Sequence, residues 1–149
     1  MYTDIHIPYV ASSWNKINAM IGLADAKKGE KMVDLGSGDG RIVVEFGKIG
    51  VEAHGYEIDW KLLEKSEENI KKAKLIDKAF IHEANFWKED LSEYDIITIY
   101  GMPSVLPMLE QKLERELKMD TRVISSIYEF PNWKYKNKKD NVFLYTKES

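Results

Sequence analysis

Val33-Asp34-Leu35-Gly36-Ser37-Gly38-Asp39-Gly40-Arg41 is the stretch whose reading decides the fold. An apolar segment over 32–35 runs straight into a loop with glycine at alternate positions 36, 38 and 40. An apolar helical pattern over 42–46 begins immediately after it. Glycine has no Cβ, so such a loop turns sharply and can bring backbone N–H groups against a ligand. The spacing narrows the ligand. A dinucleotide fingerprint needs G-x-G-x-x-G, and its third position here is Arg41. The Walker pattern needs Gly-Lys-Ser/Thr after a longer loop, and it is absent.

What remains, Asp34-x-Gly36-x-Gly38-x-Gly40, resembles motif I of the class I methyltransferases that use S-adenosylmethionine (SAM). An acid at the start of the loop suits a ligand with a positive sulfonium and ammonium, and would repel a pyrophosphate. A short apolar run over 51–56 then ends in Glu57, twenty-one residues after Gly36. An acid at the end of the second strand can accept hydrogen bonds from both ribose hydroxyls of a bound nucleoside. Asp59 reads as the N-cap of a helix over 60–74.

The chain has 149 residues, enough for one domain with a genuine core. Apolar residues make up 44% and aromatics 11%, which excludes a disordered chain. The formal net charge of −3 offers no global basic field, so a nucleic-acid partner is disfavoured. There is no cysteine, which removes disulfides, thiolate metal sites and a cysteine nucleophile. Met1–His6 is polar and acidic, and no apolar run approaches the eighteen or so residues of a membrane span. A cytoplasmic protein without signal peptide or span is the expectation. His6, His54 and His82 are scattered, so no metal site is expected.

Along the chain, a helix over 13–26 precedes strand signals at 32–35, 51–56, 80–82, 94–100, 122–127 and 142–146. Helical patterns at 41–48, 60–74 and 104–117 separate the earlier strands, with Pro103 and Ser104 reading as the start of the last. Alternating strands and helices imply right-handed crossovers and a mostly parallel twisted sheet. Strand-like stretches near 133–135 and 142–146 have no helix between them and predict an antiparallel hairpin at one sheet edge. The expected fold is therefore α/β: a single Rossmann-like class I methyltransferase domain over 1–149, with an N-terminal helix and a C-terminal hairpin. Ligands of such sheets sit beyond the strand C-termini at the switch point, where residues 36–40, Glu57, Asn85 and Tyr100 would gather.

Six segments narrow the resemblance: Pro8-Tyr9-Val10, residues 34–42, Tyr100-Gly101-Met102-Pro103, residues 112–117, Arg122-Val123-Ile124-Ser125 and Phe130-Pro131-Asn132-Trp133. In this order they resemble one small family of protein lysine methyltransferases. It includes an archaeal enzyme of broad range and mitochondrial enzymes that modify the c-ring protein of ATP synthase and the adenine nucleotide translocase. The resemblance implies SAM as donor, S-adenosylhomocysteine as product, and a protein lysine ε-amine as acceptor. It places the donor on Asp34, Gly36, Ser37, Gly38, Gly40, Glu57, Ile58, Asn85 and Phe86. Asn85 would take the adenine amino group, often the role of an aspartate, and Phe86 or Trp87 would stack on the ring. Residues 1–12 would form an arm over the donor, with Tyr9 closing on its methionine end. Tyr9 and Tyr100 are the candidates to orient the amine.

The Asn/Asp-Pro-Pro-aromatic loop common in enzymes acting on amide or base nitrogens is missing after Tyr100, which weighs against those targets. The alternatives are an RNA or small-molecule methyltransferase on the same fold, or a SAM-binding module without turnover. A broad substrate range would make the enzyme's own lysines acceptors too. The basic run Lys134-Tyr135-Lys136-Asn137-Lys138-Lys139 reads either as a solvated turn of the hairpin or as a grip on an acidic surface or RNA; the turn is favoured.

Overall fold

In a computed structural model, which describes residues 11–147, β1 (Lys31–Leu35) and β4 (Ile96–Tyr100) lie side by side at the centre of one sheet. Outward from β1 run β2 (Glu52–Glu57) and β3 (Ala79–Glu83); outward from β4 run β5 (Arg122–Ser126), β7 (Val142–Thr146) and β6 (Asn137–Lys139). The order is therefore β3-β2-β1-β4-β5-β7-β6. The first five strands are parallel, while β7 is antiparallel to β5 and to β6. The strand order reverses between β1 and β4, which makes the C-terminal end of that seam the crevice.

Side-chain alternation along the strands builds two cores. Met32, Ala53, Ile96, Ile124 and Leu144 face α1 (Trp14–Ala24), α2 (Arg41–Lys48) and α3 (Trp60–Lys72), burying Ile17, Met20, Phe46 and Ile70. Val33, Leu35, Ile97, Ile99 and Tyr145 face the other way, against α4 (Leu106–Glu116) through Leu106, Leu109 and Leu113. The strand β4 is thus covered on both faces, as a central parallel strand must be. Asp34, Thr98 and Tyr100 alternate with the α4-facing residues, so they belong to the face of α1 and α2.

Three sequence expectations shift. The hairpin exists, but its first strand is Asn137–Lys139 and not 133–135. Trp133 is drawn inward against Phe130 and Tyr145, at 5.3 and 5.0 Å between ring centroids, so the chain bends there before pairing begins. The last three residues of the basic run, Asn137–Lys139, accordingly form an exposed edge strand; the turn itself is Asp140-Asn141, both at positive φ (53° and 59°), as a two-residue hairpin loop requires. Finally, α4 starts at Leu106, with Pro107 in its first turn. Residues 102–105 make a separate turn in which Val105 and Leu106 donate to Met102 O.

Candidate active site

The glycine loop leaves β1 and folds back on β2. Gly36, Gly38 and Gly40 have φ of 77°, 59° and 83°, a region that β-carbon-bearing residues enter only at a cost. Gly36 N and Ser37 N both donate to Tyr56 O, at 2.9 and 3.0 Å, and Gly38 N donates to Glu57 Oε1 at 2.8 Å. These amides therefore hold the loop to β2 and are not turned towards a ligand, contrary to the expectation from the glycine spacing alone. The fold-back needs a further glycine that sequence reading missed. A Cβ on Gly55 would lie 2.5 Å from Ser37 Oγ, so the strand must be bare where the loop crosses it.

Asp34, the loop's acid, is buried, and Thr98 Oγ1 donates to its Oδ1 at 2.7 Å. Burial pushes its carboxyl up to about 8, against the Thr98 hydrogen bond, with Glu57 and Asp39 adding negative charge that raises it further. A buried acid held this high is poised to take a cationic ligand, which would restore its ionised form. Ser37 Oγ has no hydrogen-bond partner, the one such buried side-chain atom among the described residues. Tyr100 joins Asp34, residues 36–39, Arg41, Ile42, Met20, Ala11 and Ser12 around a cavity of about 30 Å³. That volume holds roughly one or two waters.

Glu57 ends β2 with three backbone donors on its carboxylate: Gly38 N on Oε1, and Ile58 N and Asp59 N on Oε2, both at 3.0 Å. A carboxylate has about four acceptor positions, so one remains for a ligand hydroxyl. Asp59 caps α3 as expected, accepting from Lys61 N and Leu62 N. Ile58 follows Glu57 with half its surface exposed. Asn85 Oδ1 accepts from Trp87 N at 3.0 Å and caps the short 3₁₀ turn Phe86–Lys88. An amide oxygen has a second lone pair, so this role leaves room for one more donor. Phe86 and Trp87 are both buried in the α4-side core, 4.6 Å apart. The exposed apolar surface beside Glu57 is that of Ile58.

The post-β3 loop has a buried anchor that sequence reading also missed. Lys112, 4% exposed on α4, donates to Trp87 O, Glu89 O (2.7 Å) and Glu116 Oε2 (2.8 Å). Glu116 Oε1 accepts from Leu91 N, closing the loop's other end. Tyr9 and most of the expected arm lie outside the described residues. Among the described residues no cluster of histidine and carboxylate side chains has the arrangement to hold a metal, and no helix is long and apolar enough to cross a membrane.

The strand order with its reversed β7, the glycine loop after β1 and the acid ending β2 define a class I SAM-dependent methyltransferase domain. Residues 34–137 match the ANTKMT methyltransferase domain, and the chain belongs to that family. Among similar proteins, a mouse adenine nucleotide translocase lysine N-methyltransferase is 35% identical over 130 residues, 87% of this chain. The chain spans only 56% of that relative's length. A protein-lysine N-methyltransferase of Saccharolobus islandicus is 34% identical and is matched over 93% of its length by 94% of this chain. Among solved structures, an RNA methyltransferase of Salinibacter ruber in complex with S-adenosylhomocysteine superposes with a TM-score of 0.88 at 31% identity. That match covers 92% of this chain and 93% of the other.

Proposed function

We propose that this chain binds SAM at the β1–β4 crevice and transfers its methyl group to lysine ε-amines of proteins. The observation that carries the donor half is the buried, elevated Asp34 beside a glycine loop whose far side is fixed by Glu57. Asp34 and residues 36–40 would receive the methionine end, the remaining acceptor position of Glu57 a ribose hydroxyl, and Ile58 with Asn85 the adenine. Support for lysine as acceptor comes from the archaeal relative, which matches nearly end to end.

When bound, SAM supplies an electrophilic methyl on a sulfonium, with a neutral thioether as leaving group. The protein's share is to align an amine lone pair opposite that bond and to exclude water, which accounts for much of the rate in such displacements. A lysine amine, with a reference pKa near 10.4, must first lose its proton. An apolar approach lowers that value, so no dedicated base is needed. Tyr100 lines the same cavity as Asp34, which supports a role for its hydroxyl in orienting the amine.

Incubation with labelled SAM and a cell extract, followed by separation of protein from RNA and peptide mass spectrometry, tests the proposal. One to three methyls on lysine, the enzyme's own included, are expected, at a rate rising from pH 7 towards pH 9. Tyr100→Phe should slow transfer and leave SAM affinity within about twofold. The similarity to the Salinibacter ruber enzyme favours RNA as the second reading. Label found in RNA and not in protein would establish that reading and overturn the lysine assignment.

A further inference from the structure

Arg41, the first residue of α2, does not point into solvent as its place in the sequence suggests. Its Nε and NH2 grip both oxygens of Asp39, at 2.8–3.2 Å, and its NH1 donates to Ser12 O at 3.1 Å. The guanidinium also lies 5.5 Å from the ring centroid of Trp14, the first residue of α1. Asp39 is in turn fixed from behind, since Asn69 Nδ2 of α3 donates to its carbonyl. One side chain therefore joins the glycine loop, the entry to α1 and, through Asp39, α3. These are the planar and bidentate contacts in which arginine differs from lysine.

Ser12, which Arg41 holds, is a wall of the cavity that also contains Asp34, the loop and Tyr100. With Ser12 in place that cavity is about 30 Å³, too small for the methionine end of any nucleoside sulfonium. Enlarging it from the β1, β4 or α2 side would break buried strand and helix packing. Moving Ala11 and Ser12 would open the Arg41–Ser12 hydrogen bond and the Trp14 contact.

We propose that Arg41 is a positioning residue that clasps residues 11–14 over the donor crevice, so that donor entry and product release both wait on this clasp. The inference rests on the donor reading above. Opening and reclosing would occur without chemistry; the Asp39–Arg41 pair stays with the loop, and Ser12 moves away from it. Arg41 would then control how fast the nucleoside exchanges and how completely water is excluded around Asp34 during transfer.

Stopped-flow binding of S-adenosylhomocysteine to the full-length protein tests this. For the wild type, the observed association rate should level off with concentration, because opening becomes limiting. In Arg41→Ala it should stay linear, with dissociation faster by about tenfold or more. Hydrogen exchange should show amides 11–16 losing protection in Arg41→Ala while those of β1 and β4 keep theirs. If Arg41→Ala fails to fold, Arg41→Lys carries the same comparison: one ammonium cannot hold both Asp39 oxygens and Ser12 O together. Equal association and dissociation kinetics in wild type and variant would overturn the clasp and leave the donor reading standing. A wild type that binds no S-adenosylhomocysteine would overturn both.

Discussion

Glu57 Oε1 accepts a 2.8 Å hydrogen bond from Gly38 N, so the acid expected to recognise a ribose is first of all a strut of the glycine loop. The two roles are linked. Loss of this carboxylate removes a ligand partner and at the same time strands the amides of Gly38, Ile58 and Asp59. Hydrogen bonds to a charged acceptor are worth roughly 1.5–3 kcal/mol each, so Glu57→Ala should weaken SAM binding by tenfold or more. Glu57→Gln should recover little of it, because its NH₂ would face backbone donors where Glu57 offers an acceptor. Calorimetric titration checks both variants; wild-type affinity in Glu57→Gln would show that the loop contact is dispensable.

Asp34 makes donor binding sensitive to pH. With its carboxyl at about 8 in the free protein, a positive ligand must first drive off a proton. SAM affinity should therefore rise from pH 6 to about 8 and then flatten, with proton uptake by buffer visible in calorimetry below 8. The effect on folding runs the other way. The folded-state value lies above the unfolded value of about 3.9, so the folded chain binds more protons between the two. Asp34's contribution to stability is full below about 4 and is lost as pH rises towards 8. Asp34→Asn can still accept from Thr98 and carries no such loss. Near pH 8 it should melt at or above the wild-type temperature while binding SAM poorly.

How much of this was legible beforehand divides along physical lines. The glycine loop, Glu57 and the Asp59 cap are local: each works through neighbours a few residues away, and spacing alone reveals them. The mostly parallel sheet followed from alternation of strand and helix, whereas the order of its strands is set by packing between distant segments. Phe86 and Trp87 were ambiguous because an aromatic pair has the same composition whether it stacks on a ligand or fills a core, and their burial against α4 depends on residues far along the chain. The first hairpin strand was displaced because Trp133 and Tyr135 alternate with lysines as strand residues do, yet Trp133 is claimed by Phe130 and Tyr145. Lys112 was illegible for the opposite reason. A helix pattern assigns lysine to solvent, and the carbonyls that bury it come from residues 87 and 89, far along the chain.

That buried lysine gives a stability prediction. Lys112→Ala would leave Glu116, Trp87 O and Glu89 O without their shared cation. Breaking a buried pair by deleting one partner costs about 3–5 kcal/mol, so a loss of about 3 kcal/mol or more is expected. Lys112→Met, which refills the volume, should restore part of it. Because the anchored loop also carries Asn85, SAM affinity should fall further than global unfolding explains when measured well below the melting temperature. Thermal melts and titrations on the same samples separate the two effects.

The last expectation concerns the basic edge. Lys134, Lys136, Lys138 and Lys139 lie on or beside β6, which is exposed throughout and forms one border of the sheet. β7 and β5 separate it from β4 and the crevice, so neutralising all four lysines to glutamine should leave SAM affinity unchanged within about twofold. What the charges do is visible in their position. An edge strand presents unpaired amides and carbonyls, and lysines along it oppose pairing with a second copy. The glutamine variant should therefore self-associate at concentrations where the wild type does not, and added salt should move the wild type towards it by screening the same repulsion. Sedimentation across a concentration series measures this, with methyl transfer assayed in parallel. If the variant remains as dispersed as the wild type but turnover on protein acceptors drops and loses its salt dependence, the strand's lysines steer an acidic acceptor surface instead.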